Sequence, residues 1–152
     1  MLRVAVAVLA NDAGQVLVSR RPEGKALAGA WEFPGGKLVA GETPLTALVR
    51  ELREELAIQV RLARFLLTYA HGAGDAAVRL YVWRILVWSG QPRGAEGQPL
   101  RWQPVGQLLA NGLLTADAPI VEALQSRSRV NSLGVEPCWG DVGAAAGTIS
   151  RP

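Results

Sequence analysis

Three glutamates within five consecutive positions are the residues of this sequence best suited to chemistry. Glu51, Glu54 and Glu55 stand at i, i+3 and i+4, so a helix would hold their carboxylates on one face, within about 6 Å of each other. Adjacent carboxylates repel unless cations lie between them or water covers them. Oxygen ligands suit hard divalent ions, magnesium above all because it also binds phosphate oxygens. The pattern predicts either a divalent-cation site or an ordinary solvated helix face with Arg50 and Arg53 as partners.

The segment that carries these glutamates has the signals of a helix from about Pro44 to Leu56. Thr43 can cap the free backbone N–H groups, and proline suits the first helical position because its missing N–H would have no partner there. Apolar residues recur at helical spacing along the segment: Leu45, Leu48, Val49, Leu52 and Leu56. The helix is therefore predicted to bury one face and to present the carboxylates on another.

Strand patterns lie on both sides of this helix. They are Arg3 to Ala10, Gln15 to Arg20, Trp31 to Phe33, Ile58 to Leu67, Val78 to Trp88 and Arg101 to Trp102. The turn chemistry of residues 11–14 predicts a hairpin between the first two strands, and residues 34–36 are predicted to form an irregular turn. A small helix is predicted over residues 105–109 and a final one from about Ala118 to Leu124. These elements predict an α/β fold with a mixed sheet sandwiched between helices.

Composition and charge narrow the class of protein. The chain has 152 residues, 49% hydrophobic and 19% charged, which is typical of a globular domain. Its net charge of +3 comes from scattered basic residues, which suit a small polyanion such as a triphosphate as well as a nucleic acid. Cys138 is the only cysteine, so an internal disulfide is excluded. No apolar run approaches the roughly 18 residues of a membrane span, and no signal peptide is evident.

The expected protein is therefore a cytoplasmic monomer that contacts neither a membrane nor, stably, a nucleic acid. Large apolar residues become rare after Gln125. This change predicts a domain over residues 1–125 and a poorly ordered tail over residues 126–152.

The region around the glutamates resembles the Nudix box, which runs Gly, five residues, Glu, seven residues, Arg-Glu-apolar-x-Glu-Glu-x-Gly-apolar. The matching positions are Gly36, Glu42, Arg50, Glu51, Leu52, Glu54, Glu55 and Ile58. Ala57 replaces the family's second glycine, at a strain of roughly 1 kcal/mol if the helix ends in a left-handed residue. Segments 20–21, 32–37, 96–102 and 117–120 resemble the MutT branch of the family, so the resemblance covers about residues 3 to 125.

The resemblance implies hydrolysis of a nucleoside triphosphate to a monophosphate and pyrophosphate, with magnesium as cofactor and manganese able to substitute. The metal ligands that it implies are Glu51, Glu54, Glu55, Glu96 and the backbone carbonyl of Gly35. Glu51, Glu54 and Glu96 form the catalytic set, in which Glu51 and Glu96 are both candidates for the general base. Without the resemblance, Glu96 would be interpreted as a solvated loop residue. Gly36, Glu42 and Arg50 are structural, the last two as an ion pair.

The substrate contacts that follow from the resemblance are Arg21, Lys25, Phe33 and Asp117. Arg21 can fork two phosphate oxygens, whereas Lys25 has solubility as its alternative role. His71 is expected in a loop that borders the base pocket, and the tryptophans Trp83, Trp88 and Trp102 in the core. Asp117 stands where the MutT branch has an asparagine, and an ionised carboxylate only accepts hydrogen bonds.

The sequence is compatible with three functions. The first is removal of 8-oxo-dGTP from the nucleotide pool, which would prevent mutation during DNA replication and so serve DNA repair. The second is the same cleavage of another nucleotide, such as a pyrimidine triphosphate, and Asp117 favours it. The third is a non-catalytic Nudix domain that binds a nucleotide or a nucleic acid.

Overall fold

The computed structural model describes residues 1–132 and 147–148. Its strands are β1 (Leu2–Val8), β2 (Val16–Arg20), β3 (Trp31–Glu32), β4 (Gly35–Lys37), β5 (Gln59–His71), β6 (Val78–Ser89), β7 (Leu100–Gln103) and β8 (Gly147–Thr148). Its helices are α1 (Pro44–Leu56) and α2 (Ala118–Ser132), with short 3-10 helices at Gly74–Ala76, Val105–Gln107 and Thr115–Asp117.

The strands form one large and one small sheet. The large sheet has the order β4-β1-β6-β5-β8, and the small sheet has the order β3-β2-β7. The large sheet is mixed, because β1 pairs with β6 in parallel while its other strand pairs are antiparallel. The predicted mixed sheet is thus present.

Strand β1 lies inside the large sheet because it buries residues on both of its faces. Ala5 and Ala7 belong to the core beside α1, whereas Val6 and Val8 belong to the core beside α2. Alternating side chains of a strand point to opposite faces, so one apolar run supplies both cores. The two helices therefore cover opposite faces of the sheet, which confirms the predicted sandwich.

The predicted hairpin between the first two strands forms only next to its turn. There Ala10 and Val16 make an antiparallel bridge, and the backbone N–H groups of Asn11 and Leu17 donate to the carbonyls of Gln15 and Leu9 at 2.9 and 3.0 Å. Farther from the turn the two strands separate, because β1 and β2 lie in different sheets. The turn itself is present, since the side chain of Asn11 accepts hydrogen bonds from the backbone N–H groups of Ala13 and Gln15. The predicted turn is confirmed, but burial on both faces holds β1 in the larger sheet.

Helix α1 has the predicted bounds. The hydroxyl of Thr43 accepts the backbone N–H of Thr46 at 3.2 Å, and Pro44 occupies the first turn. At the other end Ala57 is left-handed, with φ of 55°, and its N–H donates to the carbonyl of Arg53 at 3.2 Å. Leu48, Leu52 and Leu56 are fully buried. This buried stripe fixes which face of α1 can present the glutamates.

Other boundaries differ from the predicted ones. Gly35–Lys37 is strand β4 and not a turn, because it pairs with the edge of β1. β5 continues to His71, four residues past the predicted end at Leu67, because it pairs with β6 along its whole length. α2 continues to Ser132, well past Gln125, and β8 pairs with β5 at Leu62 and Ala63. The predicted disorder of residues 133–146 and 149–152 lies outside the described residues.

Within the described residues, none of the helices combines the length and the apolarity that a bilayer crossing requires.

Candidate active site

A cavity of about 630 Å³ lies on the α2 side of the large sheet, a volume within the range of small-molecule sites. Val4, Val6 and Leu80 form an apolar part of its wall. Its polar lining brings together residues far apart in sequence: Arg21, Lys25, Glu32, Lys37, Glu51, Glu55, His71 and Asp117. The cavity therefore joins acidic, basic and apolar surface in one place.

Two glycines of β4 allow helix α1 to lie close to the sheet edge. A side chain at Gly35 would collide with the carbonyl oxygen of Ala5, and φ of 149° there suits only glycine. A side chain at Gly36 would collide with the carboxylate of Glu51. The backbone N–H of Gly35 donates to Oε2 of Glu55 at 3.2 Å. The glycine pair thus places both glutamates against the cavity.

Arg50 organises the acidic side of the site. Its Nε and Nη2 donate to the two carboxylate oxygens of Glu42 at 2.7 and 2.9 Å, which is the predicted ion pair. The Arg50 hydrogen bonds, followed by the Val39 N–H, lower the pKa of Glu42 to about 2. Nη1 of Arg50 also donates to Glu51 at 2.7 Å. Arg50 therefore fixes the loop before α1 and holds one of the predicted metal ligands.

Glu55 is a carboxyl in an unfavourable place for a negative charge. Its pKa is raised to about 8, mainly by burial and also by the nearby charges of Glu51, Glu96 and Glu32, against the lowering effect of the Gly35 N–H. A bound cation would reverse this effect, because an opposite charge favours the ionised form. The surroundings of Glu55 would therefore favour binding of a cation.

Glu54 and Glu96 lie outside the cavity wall. Glu54 is 52% exposed, beside Nη1 of Arg50 at 3.4 Å. Glu96 is exposed on the loop between β6 and β7. That loop is fastened to the end of α1, where Nε2 of Gln98 and the N–H of Ala95 donate to the carbonyl of Glu55 at 2.8 and 3.0 Å. The structure thus brings Glu96 near Glu55, although sequence spacing could not have shown how.

Glu51 and Glu55 carry the oxygen atoms with which the site could hold the divalent metal implied by the sequence. In the part of the chain that the structure describes, no three acidic, histidine or cysteine side chains converge tightly enough to cage an ion as they stand. Glu51 and Glu55 nevertheless supply carboxylate oxygens at one wall of the cavity, beside the backbone of Gly35. Oxygen donors of this kind match a hard divalent cation. In chemical type, Glu51 and Glu55 therefore fit a divalent cation, and both line the cavity.

The predicted phosphate contacts also line the cavity. Nη1 of Arg21 donates to Glu32 at 2.7 Å, and its Nε donates to the carbonyl of Ala26 at 2.8 Å. These bonds hold the guanidinium between β3 and the loop at residues 22–29. Lys25 lines the same wall. Arg21 therefore stands in a fixed orientation at the cavity.

Asp117 and Phe33 are tied together across the chain. The backbone N–H of Phe33 donates to Oδ2 of Asp117 at 3.0 Å, and Asp117 is only 5% exposed. Burial raises the pKa of Asp117 to about 7. The hydroxyl of Tyr69 donates to the carbonyl of Ala116 at 2.8 Å, which ties the segment before α2 to strand β5. The two residues predicted to contact the base thus both line the cavity.

Three further residues line the cavity. The sequence pattern predicted no role for two of them and placed the third in a loop. Glu32 and Lys37 lie on either side of the glycine pair in the same short segment. This closeness in sequence was the signal that could have placed them at the cavity. His71 is the last residue of β5 and not a loop residue, although it does line the cavity. The tryptophans Trp83, Trp88 and Trp102 pack with the core beside α1, as predicted.

Comparisons with known proteins agree with this geometry. The NUDIX domain family matches residues 1–124. An 8-oxo-dGTP diphosphatase of Escherichia coli (strain K12) is 34% identical over 82% of this chain and 96% of its own. A CTP pyrophosphohydrolase of the same organism is 33% identical over 83% and 93%. The crystal structure of a MutT NUDIX hydrolase from Burkholderia pseudomallei superposes with a TM-score of 0.71 at 28% identity, covering 80% of this chain and 96% of that one. The chain therefore belongs to the Nudix family.

Proposed function

We propose that this protein is a divalent-metal-dependent nucleoside triphosphate pyrophosphohydrolase that converts 8-oxo-dGTP to 8-oxo-dGMP and pyrophosphate. One observation carries the proposal: a single cavity holds the Glu51 and Glu55 carboxylates, the basic side chains of Arg21 and Lys25, and a buried Asp117. The similarity to the 8-oxo-dGTP diphosphatase of Escherichia coli supports this substrate. Removing the oxidised nucleotide would keep it out of newly replicated DNA.

The proposed reaction is the attack of water on a phosphorus atom of the triphosphate. A bound magnesium ion would supply charge neutralisation at the phosphate oxygens and a more acidic water. Glu51 and Glu55, with the carbonyl of Gly35, would hold that ion, while Glu54 and Glu96 contribute charge nearby. Arg21 and Lys25 would orient the phosphate chain at the same wall.

Glu51 and Glu96 are the two candidates for the general base. Glu51 lines the cavity but is bound to Arg50 at 2.7 Å, whereas Glu96 is exposed beside Glu55. A carboxylate oxygen that already accepts a hydrogen bond from a guanidinium is less available to accept the proton of an attacking water. This contact favours Glu96 as the base.

A second substrate class is favoured by Asp117 itself. Cytosine presents an amino group that donates hydrogen bonds, and an ionised carboxylate accepts them. Guanine also presents donors, at N1 and N2, but its O6 needs a donor that Asp117 supplies only when protonated. The similarity to a CTP pyrophosphohydrolase supports this second candidate.

The test is a pyrophosphate-release assay with 8-oxo-dGTP, dGTP and CTP, with and without magnesium or manganese. We expect metal-dependent pyrophosphate release that favours 8-oxo-dGTP over dGTP. Glu54→Gln should lower kcat/KM by roughly 10- to 100-fold, because it removes a negative charge next to the carboxylates that would hold the metal. Glu122→Gln is the matched control, since Glu122 is an exposed glutamate of α2 outside the cavity lining.

The other outcomes separate the alternatives. Release of single phosphates would contradict the proposed cleavage. A higher kcat/KM for CTP than for 8-oxo-dGTP would establish the second candidate. Nucleic-acid binding with a steep salt dependence and no turnover would indicate a non-catalytic binding domain.

A further inference from the structure

His71, the only histidine of the chain, lines the cavity at a place that the proposed reaction does not use. Strand register defines this place. His71 of β5 pairs with Val78 of β6, and Val78 pairs with Leu2 of β1. All three line the cavity, so they form one row of side chains across the sheet.

This row lies far from the acidic wall. Gly35 pairs with Val6, Val6 pairs with Val82, and Val82 pairs with Leu67, so Gly35 marks the row of Leu67 on β5. His71 lies four residues beyond Leu67, which is about 13 Å along the strand. A phosphate chain held near Gly35 would therefore end well before His71.

The surface between the two rows suits a nucleobase. It includes Val4 and Leu80, which pair with each other and line the cavity. Apolar side chains can support the face of a base, while its polar edges need hydrogen-bonding partners. Asp117 lies at one border of this floor, because Tyr69 pairs with Leu80 and its hydroxyl donates to the carbonyl of the adjacent Ala116 at 2.8 Å. His71 lies at another border, in the row of Val78 and Leu2. A base lying on the floor would be within reach of both polar side chains.

We propose that His71 contacts the nucleobase of the bound substrate and helps to determine which base the enzyme prefers. This inference rests on the proposed nucleotide hydrolysis. Neutral imidazole offers one donor and one acceptor, so it can complement edge atoms of a base that a carboxylate cannot. His71 is thus a specificity residue, separate from the groups that hold the phosphates.

A binding experiment uses the fact that the chain contains a single histidine. The imidazole NMR signals of the full, untagged chain are followed with magnesium while 8-oxo-dGMP, CMP or pyrophosphate is added. These are product-like ligands, so no turnover interferes. We expect the nucleotides to shift the His71 signals and pyrophosphate, which has no base, to leave them within error. Equal shifts with pyrophosphate, or no shift with either nucleotide, would overturn the proposal.

A kinetic experiment tests the role in specificity. His71→Ala should change the ratio of kcat/KM values between 8-oxo-dGTP and CTP by about 10-fold, through KM and with kcat nearly constant. His71→Gln keeps a donor and an acceptor and should restore part of that ratio. Ala70→Gln is the control, because Ala70 is exposed on the opposite face of β5.

An unchanged ratio in His71→Ala, or an equal change in Ala70→Gln, would contradict the specificity role. The proposed hydrolysis fails by a different result, namely no pyrophosphate release from any triphosphate by the unaltered protein. The two failures are therefore distinguishable.

Discussion

Asp117 combines burial with two charged neighbours of opposite sign. Burial raises its pKa to about 7, the Phe33 N–H and the charge of Arg21 lower the pKa, and the charge of Glu32 raises it. Below this pH the protonated carboxyl both donates and accepts, as the amide of asparagine does. Above it the carboxylate only accepts. The hydrogen-bonding character of the cavity therefore changes within the physiological pH range.

This change predicts a pH-dependent choice of base. The ratio of kcat/KM for 8-oxo-dGTP to that for CTP should fall as pH rises from 6 to 8, because guanine O6 loses its donor. Asp117→Asn cannot ionise, so its ratio should stay flat over the same range. The measurement is pyrophosphate release at several pH values. Parallel profiles for the two proteins would contradict this role of Asp117.

Glu55 links stability to pH and to metal binding. Its pKa in the folded protein is about 8, mainly because of burial, and its ordinary value is 4.5. The folded state thus binds the proton more tightly than the unfolded state, so its contribution to stability falls as pH rises from about 4.5 to 8. The contribution of Asp117 to stability likewise falls as pH rises to about 7.

The expected result is a metal-free Tm that is lower at pH 8.5 than at pH 5.5. Magnesium should raise the Tm more at pH 8.5, where ionised Glu55 can bind it. Glu55→Gln should reduce both effects, and thermal unfolding with chelator or magnesium measures them. A magnesium effect of the same size at both pH values would contradict this role of Glu55.

At the scale of elements, the end of α1 is the point of local strain. Ala57 is left-handed with φ of 55°, a conformation that glycine adopts without cost. Ala57→Gly should therefore raise the free energy of unfolding by up to about 1 kcal/mol, a Tm increase of about 2–4 °C, with activity unchanged.

Chemical denaturation of two variants checks this prediction. Ala47→Gly is the control of opposite sign, because Ala47 is buried within the same helix and glycine there weakens it. A loss of stability in Ala57→Gly would show that the packing of the alanine methyl group outweighs the backbone strain.

The end of α1 also positions part of the site. The N–H of Arg93 donates to the carbonyl of Leu56 at 3.1 Å, and Ala95 and Gln98 bind the carbonyl of Glu55. A helix leaves its last carbonyl groups without partners inside the helix, and here the β6–β7 loop supplies them. The same hydrogen bonds that complete α1 hold the loop that carries Glu96.

At the scale of the whole molecule, the C-terminal boundary can be tested by truncation. Ile120, Val121 and Leu124 of α2 are buried, whereas residues 126–128 are exposed. Truncation after Gln125 should therefore leave activity nearly unchanged and lower the Tm only slightly, although it also removes the pairing of β8 with β5.

Truncation after Ala123 is the matched comparison. It also removes Leu124, which should cost about 2–5 kcal/mol of stability because a buried leucine is lost from the core beside α2. Activity assays and thermal unfolding of both proteins decide the matter. A large loss after the Gln125 truncation would show that the segment beyond it belongs to the fold.

Elements with local signals could be predicted from the amino-acid sequence alone. The bounds of α1 followed from Thr43, Pro44 and the leucine stripe, and the left-handed residue at Ala57 followed from the pattern of the box. The ion pair of Glu42 with Arg50 followed from the resemblance to the Nudix box, which includes both residues. These features depend on neighbours within about one helix length.

Features that depend on contacts between distant residues could be seen only in the folded chain. Gly35–Lys37 forms a strand because it pairs with the edge of β1. Strand β1 separates from β2 and enters the larger sheet because both of its faces are buried. The nearness of Glu55 to Glu96, and the placing of His71 in the cavity wall, depend on strand register and loop docking across the whole chain. Local spacing cannot encode such contacts, because they arise from the pairing of segments that are far apart in sequence.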